Sequence, residues 1–396
     1  MSRLWDKGAA VDGAILRFTV GDDYVLDQRL VRHDVAASIA HARMLASVGL
    51  LSAADAESIA AALAALGASH ARGEWCIALE EEDAHTALEL RLVEQLGETG
   101  KRVHLGRSRN DQVLTALRLY LREAGEQMAA GAEAVAAVLE ALSFEQGAVP
   151  LPGYTHMQRA MPSSVALWAG GFAAELRDDA AGIRRALLRA AQNPLGSAAG
   201  YGVPFLPLNR EHTTQALGFS STQEPVTACQ LSRGKAEAAL VFELCLFMQD
   251  MGRVAADLCL FATAEFAFVK LPDAFTTGSS IMPQKRNPDV FELLRARAAQ
   301  APADLQAIMA VTSKLTSGYH RDLQLIKAPL FRCIDSTESS AAVLAHALPG
   351  IVFSEANCRA AMDSSLGATE EACRLVIDRG LPFREAYKLI AAKYRS

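Results

Sequence analysis

Aromatic residues are scarce in this chain, at 6% of 396 positions, while alanine recurs throughout. Alanine- and leucine-rich text favours helix over strand. The seven cysteines, at 76, 229, 245, 259, 333, 358 and 373, are odd in number and contain no CxxC pair. That speaks against a disulfide scaffold and for a reducing compartment. Positive charge is not in excess. The formal net charge is −6, which suggests neither nucleic acid nor an anionic membrane as partner. The opening MSRLWDKGAA lacks the apolar core of a signal peptide, and no run of about 18 apolar residues suggests a membrane span. A cytoplasmic location is expected. HExxH, paired Cys/His spacing and an EF-hand loop are missing, so no metal is expected. A GxSxG elbow and a strand-borne dinucleotide fingerprint are missing too.

What remains is globular text, 51% hydrophobic and 21% charged, long enough for two or three domains. The first hundred residues read as short helices: one over 35–51, one opened by Ser52, and an amphipathic one over 81–96. Gly97, Gly100 and Gly106 then mark a break. From 113 to 144, apolar or small residues at 117, 121, 124, 128, 131, 135, 138 and 142 alternate in steps of four and three. That is a heptad seam on a helix of about 30 residues, ~45 Å long. Residues 163–192 and 235–265 repeat the pattern, separated by the clusters Pro150–Gly153 and Asn193–Pro207. Three such helices argue for an elongated bundle. Stretches such as AALVFELCLFMQDMG are apolar around most of the circumference, which argues for an oligomer. The tail, 355–396, reads as one or two helices.

Several short strings carry chemistry. GSSIMPQKRNPD, 278–289, is a mobile loop: Gly278 is permissive, Pro283 and Pro288 bar helix, and Asp289 is placed to cap the apolar run that follows. GRSRNDQ, 106–112, sits at a helix start, with Ser108, Arg109 and Asn110 facing outward as a ready anion site. PGYTHMQRAMP, 152–162, holds His156 in a loop bounded by prolines, where imidazole can deliver a proton near neutral pH. Residues 193–200, NPLGSAAG, lack the P-loop lysine and read as a tight connection. YHRDLQLIK, 319–327, offers a phenol, an amide and an ammonium. In EEEDAHT, 80–86, His85 is either a substrate contact or a helix-surface residue. Taken one at a time, such strings are ordinarily solvated loops or capped helix starts.

Together, GRSRNDQ, PGYTH with its following QRA, NPLGS and GSSIMPQKRNPD resemble the argininosuccinate lyase family of the fumarase/aspartase superfamily, from about residue 34 to 388. GSSxMPxKxNP marks the superfamily; GRSRNDQ is particular to argininosuccinate lyases. The resemblance implies an all-α, three-domain fold: an N-terminal helical domain over 1–105, a central long-helix bundle over 106–350, and a C-terminal helical domain over 351–396. It implies a homotetramer whose active sites gather segments from three subunits, with no metal or organic cofactor. The implied substrate is argininosuccinate, split into arginine and fumarate in arginine biosynthesis.

It also implies roles. Ser279 matches the catalytic base. Lys285 and Asn287 would stabilise the charge that builds on the carboxylate. His156, paired with Glu292, is the candidate acid. Ser108 and Asn110 would hold carboxylates, and Arg109 and Thr155 match further substrate contacts. Asp27, Tyr319, Gln324 and Lys327 match positions that hold the arginine half.

The chain departs from the family pattern at Leu105, Met161, Asp23 and His320-Arg321, and in QLSRGK, 230–235. That last segment keeps Arg233 as a substrate-binding candidate. These departures fall around the amine half, so altered amine specificity is an alternative; a non-catalytic crystallin-like homologue is another. The chain also ends several tens of residues sooner than the family pattern, so the C-terminal domain is expected to be incomplete.

Overall fold

A computed structural model describes residues 12–394. Helix dominates, and strand among the described residues is confined to three two-stranded pairings. Two compact units emerge. The first comprises Met1–Gln127, Gly182–Glu243 and Pro302–Ile334; the second comprises Met128–Ala181, Leu244–Ala301 and Asp335–Ser396.

In the first unit, helices Val31–Ser47, Ala53–Ala71 and Ala84–Leu96 bury Leu45, Ile59, Leu63 and Leu92 in one apolar cluster. The first of these starts and ends earlier than its apolar pattern suggests. Gly49, at φ 75°, turns the chain in the left-handed region after it. Ser52 caps the next helix, its Oγ accepting the Asp55 amide at 3.0 Å.

The long seamed helix runs from Arg109 to Gln146, 38 residues, or about 57 Å at 1.5 Å per residue. By length and composition alone it could cross a membrane. Its seam is nevertheless turned inward: Leu117, Leu121, Ala124, Met128, Val135 and Leu142 are buried. The two other long helices are Val165–Leu187 and Lys235–Phe261. Close approach explains Gly125, where a Cβ would lie 2.3 Å from Leu187 Cδ2. The 193–200 segment is a tight connection. Gly196, Ala198 and Gly200 all have positive φ, and a Cβ on Gly200 would lie 2.8 Å from Gln230 Cγ.

In the second unit, residues 150–164 are not the loop that the two prolines suggest. They form an antiparallel hairpin, Pro150–Thr155 against Gln158–Ser164, with Pro152 opposite Pro162. A two-stranded ribbon has only edges, so it tolerates prolines that a central strand would not. His156 and Met157 form the two-residue turn at φ 52° and 60°, the left-handed geometry such hairpins use. Asp289 is not a cap either. It is the first residue of helix Asp289–Ala298, and its carboxylate accepts the Thr277 hydroxyl. The tail holds three α-helices rather than one or two: Glu355–Ala360, Ala368–Arg379 and Phe383–Lys393. Asp363, which accepts the Ser365 amide at 2.8 Å, and Gly380, at φ 64°, break them apart.

Candidate active site

A cavity of about 180 Å³ opens in the first unit, and five stretches distant in sequence converge on it. Asp27, His85, Arg109, Asn110, Arg233, Tyr319, Gln324 and Lys327 line it together. Asp27 begins a short 3-10 turn, His85 lies in the first turn of Ala84–Leu96, and Arg109 and Asn110 open the long helix. Arg109 therefore turns into a cavity rather than facing outward. Ser108 is absent from the lining; its Oγ accepts the Asn110 amide at 3.3 Å.

Charge in the cavity is organised by pairs. Lys327 Nζ lies 2.6 Å from Asp27 Oδ1 and 2.8 Å from Asp23 Oδ1, with Lys327 and Asp27 both buried. Burial alone would depress the lysine pKa, but the two carboxylates outweigh it and hold it above its ordinary value. Burial pushes Asp23 up to about 6, against the pull of Lys327 and with a further push from Asp27.

A second group surrounds His85. Its Nε2 lies 3.1 Å from Asp83 Oδ2, and its Nδ1 lies 3.8 Å from Asp34 Oδ2. Burial disfavours a charged imidazole, yet the attraction of Asp83 and Asp34 prevails and raises its pKa. Arg109 Nε also lies 3.1 Å from His85 Nε2. A protonated imidazole has no lone pair there, so this is then a close approach and not a hydrogen bond. Arg109 is anchored by Asp83 and by Glu82, the latter at 3.3 Å. Burial opposes the ionised Asp83, but His85, Arg109 and the Thr86 amide hold its pKa well below the usual carboxylate range. Glu82 is held at φ 68°, a conformation a non-glycine residue adopts only where its surroundings enforce it.

Arg233 is different. It is buried, stacks 5.7 Å from the Tyr319 ring, and leaves Nε and Nη1 without hydrogen-bond partners. Gln324 spends its amide nitrogen on Val20 O at 2.8 Å and accepts from Arg321 Nε at 3.2 Å. Six lining residues are not among the sequence candidates: the carboxylates Glu82 and Asp83, the apolar Val20 and Val113, and Asp23 and Arg321, which stand out in the sequence only as departures from the family pattern. The acidic run 80–83 was the available signal for two of them, since a buried arginine needs carboxylates nearby.

The other candidates belong to the second unit. Thr277 and Asn287 exchange backbone hydrogen bonds, 3.2 and 2.9 Å, and so close the base of the 278–286 loop. Ser279 Oγ accepts the Met282 amide at 3.2 Å, and Lys285 is exposed. Ile281, near the tip, is 83% exposed. Thr155 and His156 are exposed at the hairpin tip, and the hairpin is tied to the tail by Arg159, 2.8 Å from Asp363. Glu292 lies on helix Asp289–Ala298, 4.0 Å from Arg295. Within one chain no hydrogen bond or ion pair joins His156 to Glu292 among the described residues. Among the described residues no group of three or more His, Cys, Asp or Glu is arranged to hold a metal ion.

A family described as Lyase matches residues 15–303. An argininosuccinate lyase of Sorangium cellulosum (strain So ce56) is 45% identical, over 99% of this chain and 90% of that protein. One from Phocaeicola vulgatus is 43% identical, over 98% of this chain and 86% of that protein. Among solved structures, an EDDS lyase in complex with formate superposes with a TM-score of 0.81 at 22% identity, over 97% of this chain and 76% of that one. A class II fumarase from Schistosoma mansoni gives 0.81 at 20% identity, over 97% and 89%. The fumarase-like helical fold, the lyase family match and the near full-length identity agree: this chain belongs to the argininosuccinate lyase family.

Proposed function

We propose that the chain cleaves argininosuccinate to arginine and fumarate, as the closing step of arginine biosynthesis, in the cytoplasm and without a cofactor. The observation that carries this reading is the cavity. In a member of this family, it brings together eight substrate-binding candidates from segments as much as 300 positions apart.

The proton to be removed sits beside a carboxylate and is barely acidic. Ser279, as an alkoxide stabilised by neighbouring donors in the closed loop, takes it and becomes the neutral hydroxyl, and Lys285 and Asn287 stabilise the dianionic carboxylate this creates. The carbon–nitrogen bond then breaks, its electron pair leaves with the guanidino nitrogen, and His156, oriented by Glu292, protonates that nitrogen. Ser108, Asn110 and Thr155 hold the succinyl part. The exposed apolar tip at Ile281 favours a loop that closes against other surface and excludes water.

The active assembly is a homotetramer with sites shared between subunits. Apolar residues left exposed on long helices, Leu167 at 67% and Phe242 at 49%, support it. The test is fumarate absorbance on mixing protein with argininosuccinate, beside a panel of other N-succinyl amines. Release from other succinyl amines but not from argininosuccinate would overturn the substrate. Absence of any release would overturn the lyase activity.

A further inference from the structure

Two strands by themselves hold a hairpin only weakly, yet an acid at its tip has to meet one atom in one orientation. The ladder of the His156 hairpin is regular from Pro150 opposite Ser164 to Gly153 opposite Met161. There it is interrupted. Tyr154 pairs with Arg159, so Ala160 stands opposite no residue. Such a bulge bends the strand and loosens the tie between tip and base. Beyond it come two cross-strand pairs, Tyr154–Arg159 and Thr155–Gln158, and then the turn of His156 and Met157.

The first of those pairs is anchored outward on both strands. The Tyr154 ring meets Phe266 edge-on, with centroids 5.9 Å apart. Arg159 Nη1 donates to the carbonyl of Ala361 at 3.0 Å and lies 2.8 Å from Asp363 Oδ2. Asp363 is held in turn. Its Oδ1 accepts the Ser365 amide at 2.8 Å and also the Ser365 hydroxyl, and Leu366, the next residue, is buried. Arg159 thus joins the hairpin to a capped turn of the tail, 202 positions along the chain. Both charged groups are exposed, so the ion pair adds little to stability. Its effect is geometric: a guanidinium bonded to a carbonyl and a carboxylate at once has its direction fixed.

We propose that Arg159 is a positioning residue, which through Ala361 and Asp363 sets where His156 stands when the departing nitrogen is protonated. It acts through His156 and makes no contact of its own with the substrate. The tail turn at 361–365 is thereby part of the support of the acid. This placement rests on the reading of His156 as that acid.

Two readouts on the full-length protein test it. In hydrogen exchange read by mass spectrometry, residues 154–161 of Arg159→Gln should exchange about fivefold faster than in the wild type, the factor that one lost hydrogen bond gives. In steady-state fumarate release the same variant should lower kcat about tenfold with KM changed less than about twofold, as misplacement of a group needed only in the transition state requires. Arg159→Lys, which keeps the charge facing Asp363 but not the planar fork, should recover part of both losses. Asp363→Asn should reproduce them, and Arg159→Gln added to it should cost little more. In the His156→Asn background, Arg159→Gln should leave the residual turnover unchanged. A further fall there of about tenfold, or exchange of 154–161 unaltered by Arg159→Gln, overturns the proposal. The two readings fail differently. Wild-type turnover in His156→Asn would defeat the acid and the positioning together. Lost turnover in His156→Asn with full turnover in Arg159→Gln would keep the acid and defeat the positioning alone.

Discussion

Asp111, in the first turn of the long helix, accepts the backbone N–H of Gly196 at 2.9 Å through its Oδ2. The same oxygen receives Ala198 N–H at 2.9 Å, while Oδ1 takes that of Ser108 at 2.9 Å. GRSRNDQ and NPLGS, two strings that look independent in the sequence, are thus one device. A buried carboxylate satisfies three amides and fixes the backbone on which Arg109 and Asn110 reach the cavity.

Replacing Asp111 with asparagine should therefore cost stability, because an amide NH₂ would face an N–H donor. The expected loss is about 2–3 kcal/mol, read as a lower denaturation midpoint with unchanged slope. Fumarate release should fall with it, through misplacement of Arg109. A midpoint within error of the wild type would contradict the anchoring role.

The same residue sets a pH dependence. Burial raises Asp111 to about 6 from 3.8, although its three amide partners and Arg107 oppose the shift. The folded state thus holds the proton more tightly than the unfolded chain. The associated stabilisation is complete below about pH 4 and is lost as pH rises through 6, amounting to about 3 kcal/mol. The difference between wild-type and Asp111→Asn unfolding free energies should therefore shrink across that interval. A pH-independent difference would show that Asp111 does not titrate there.

Ser279→Ala should reduce fumarate release by at least a hundredfold while leaving thermal stability nearly unchanged. The hydroxyl only accepts two loop amides, Ile281 at 3.4 Å and Met282 at 3.2 Å, in an exposed segment. Steady-state rates and a melting curve on one preparation decide it; retained turnover would remove the serine from the mechanism.

His85→Ala should be costly in another way. It leaves Asp83 and Asp34 buried with one cation fewer, a loss on the order of 3 kcal/mol. Chemical denaturation measures it, and His85→Lys, which keeps a positive charge, should recover part of the loss.

At the hairpin tip, Met157 at φ 60° is strained as a non-glycine residue. Met157→Gly should stabilise the second unit by up to about 1 kcal/mol. His156→Asn suits the same backbone region, so it should fold normally yet lose turnover; normal turnover would exclude His156 as the acid.

Much of this protein was determined by sequence alone. Helix periodicity is local, and a seam repeating every three or four residues needs no distant partner to be read; six of its eight positions between Leu117 and Leu142 are buried, and Gly131 and Val138 are half-buried. The family was legible for a related reason: its motifs set serine, lysine, asparagine and histidine in short fixed order within a few positions. Prolines 152 and 162 pointed the other way, because the strand that accommodates them depends on pairing across a turn. Tertiary structure alone decided that Asp23 shares Lys327 with Asp27, and that Glu82 and Asp83 hold Arg109. Lys327 and Asp27 stand 300 positions apart. The charge of a buried group is set by what surrounds it in space, and no local pattern along a chain encodes that.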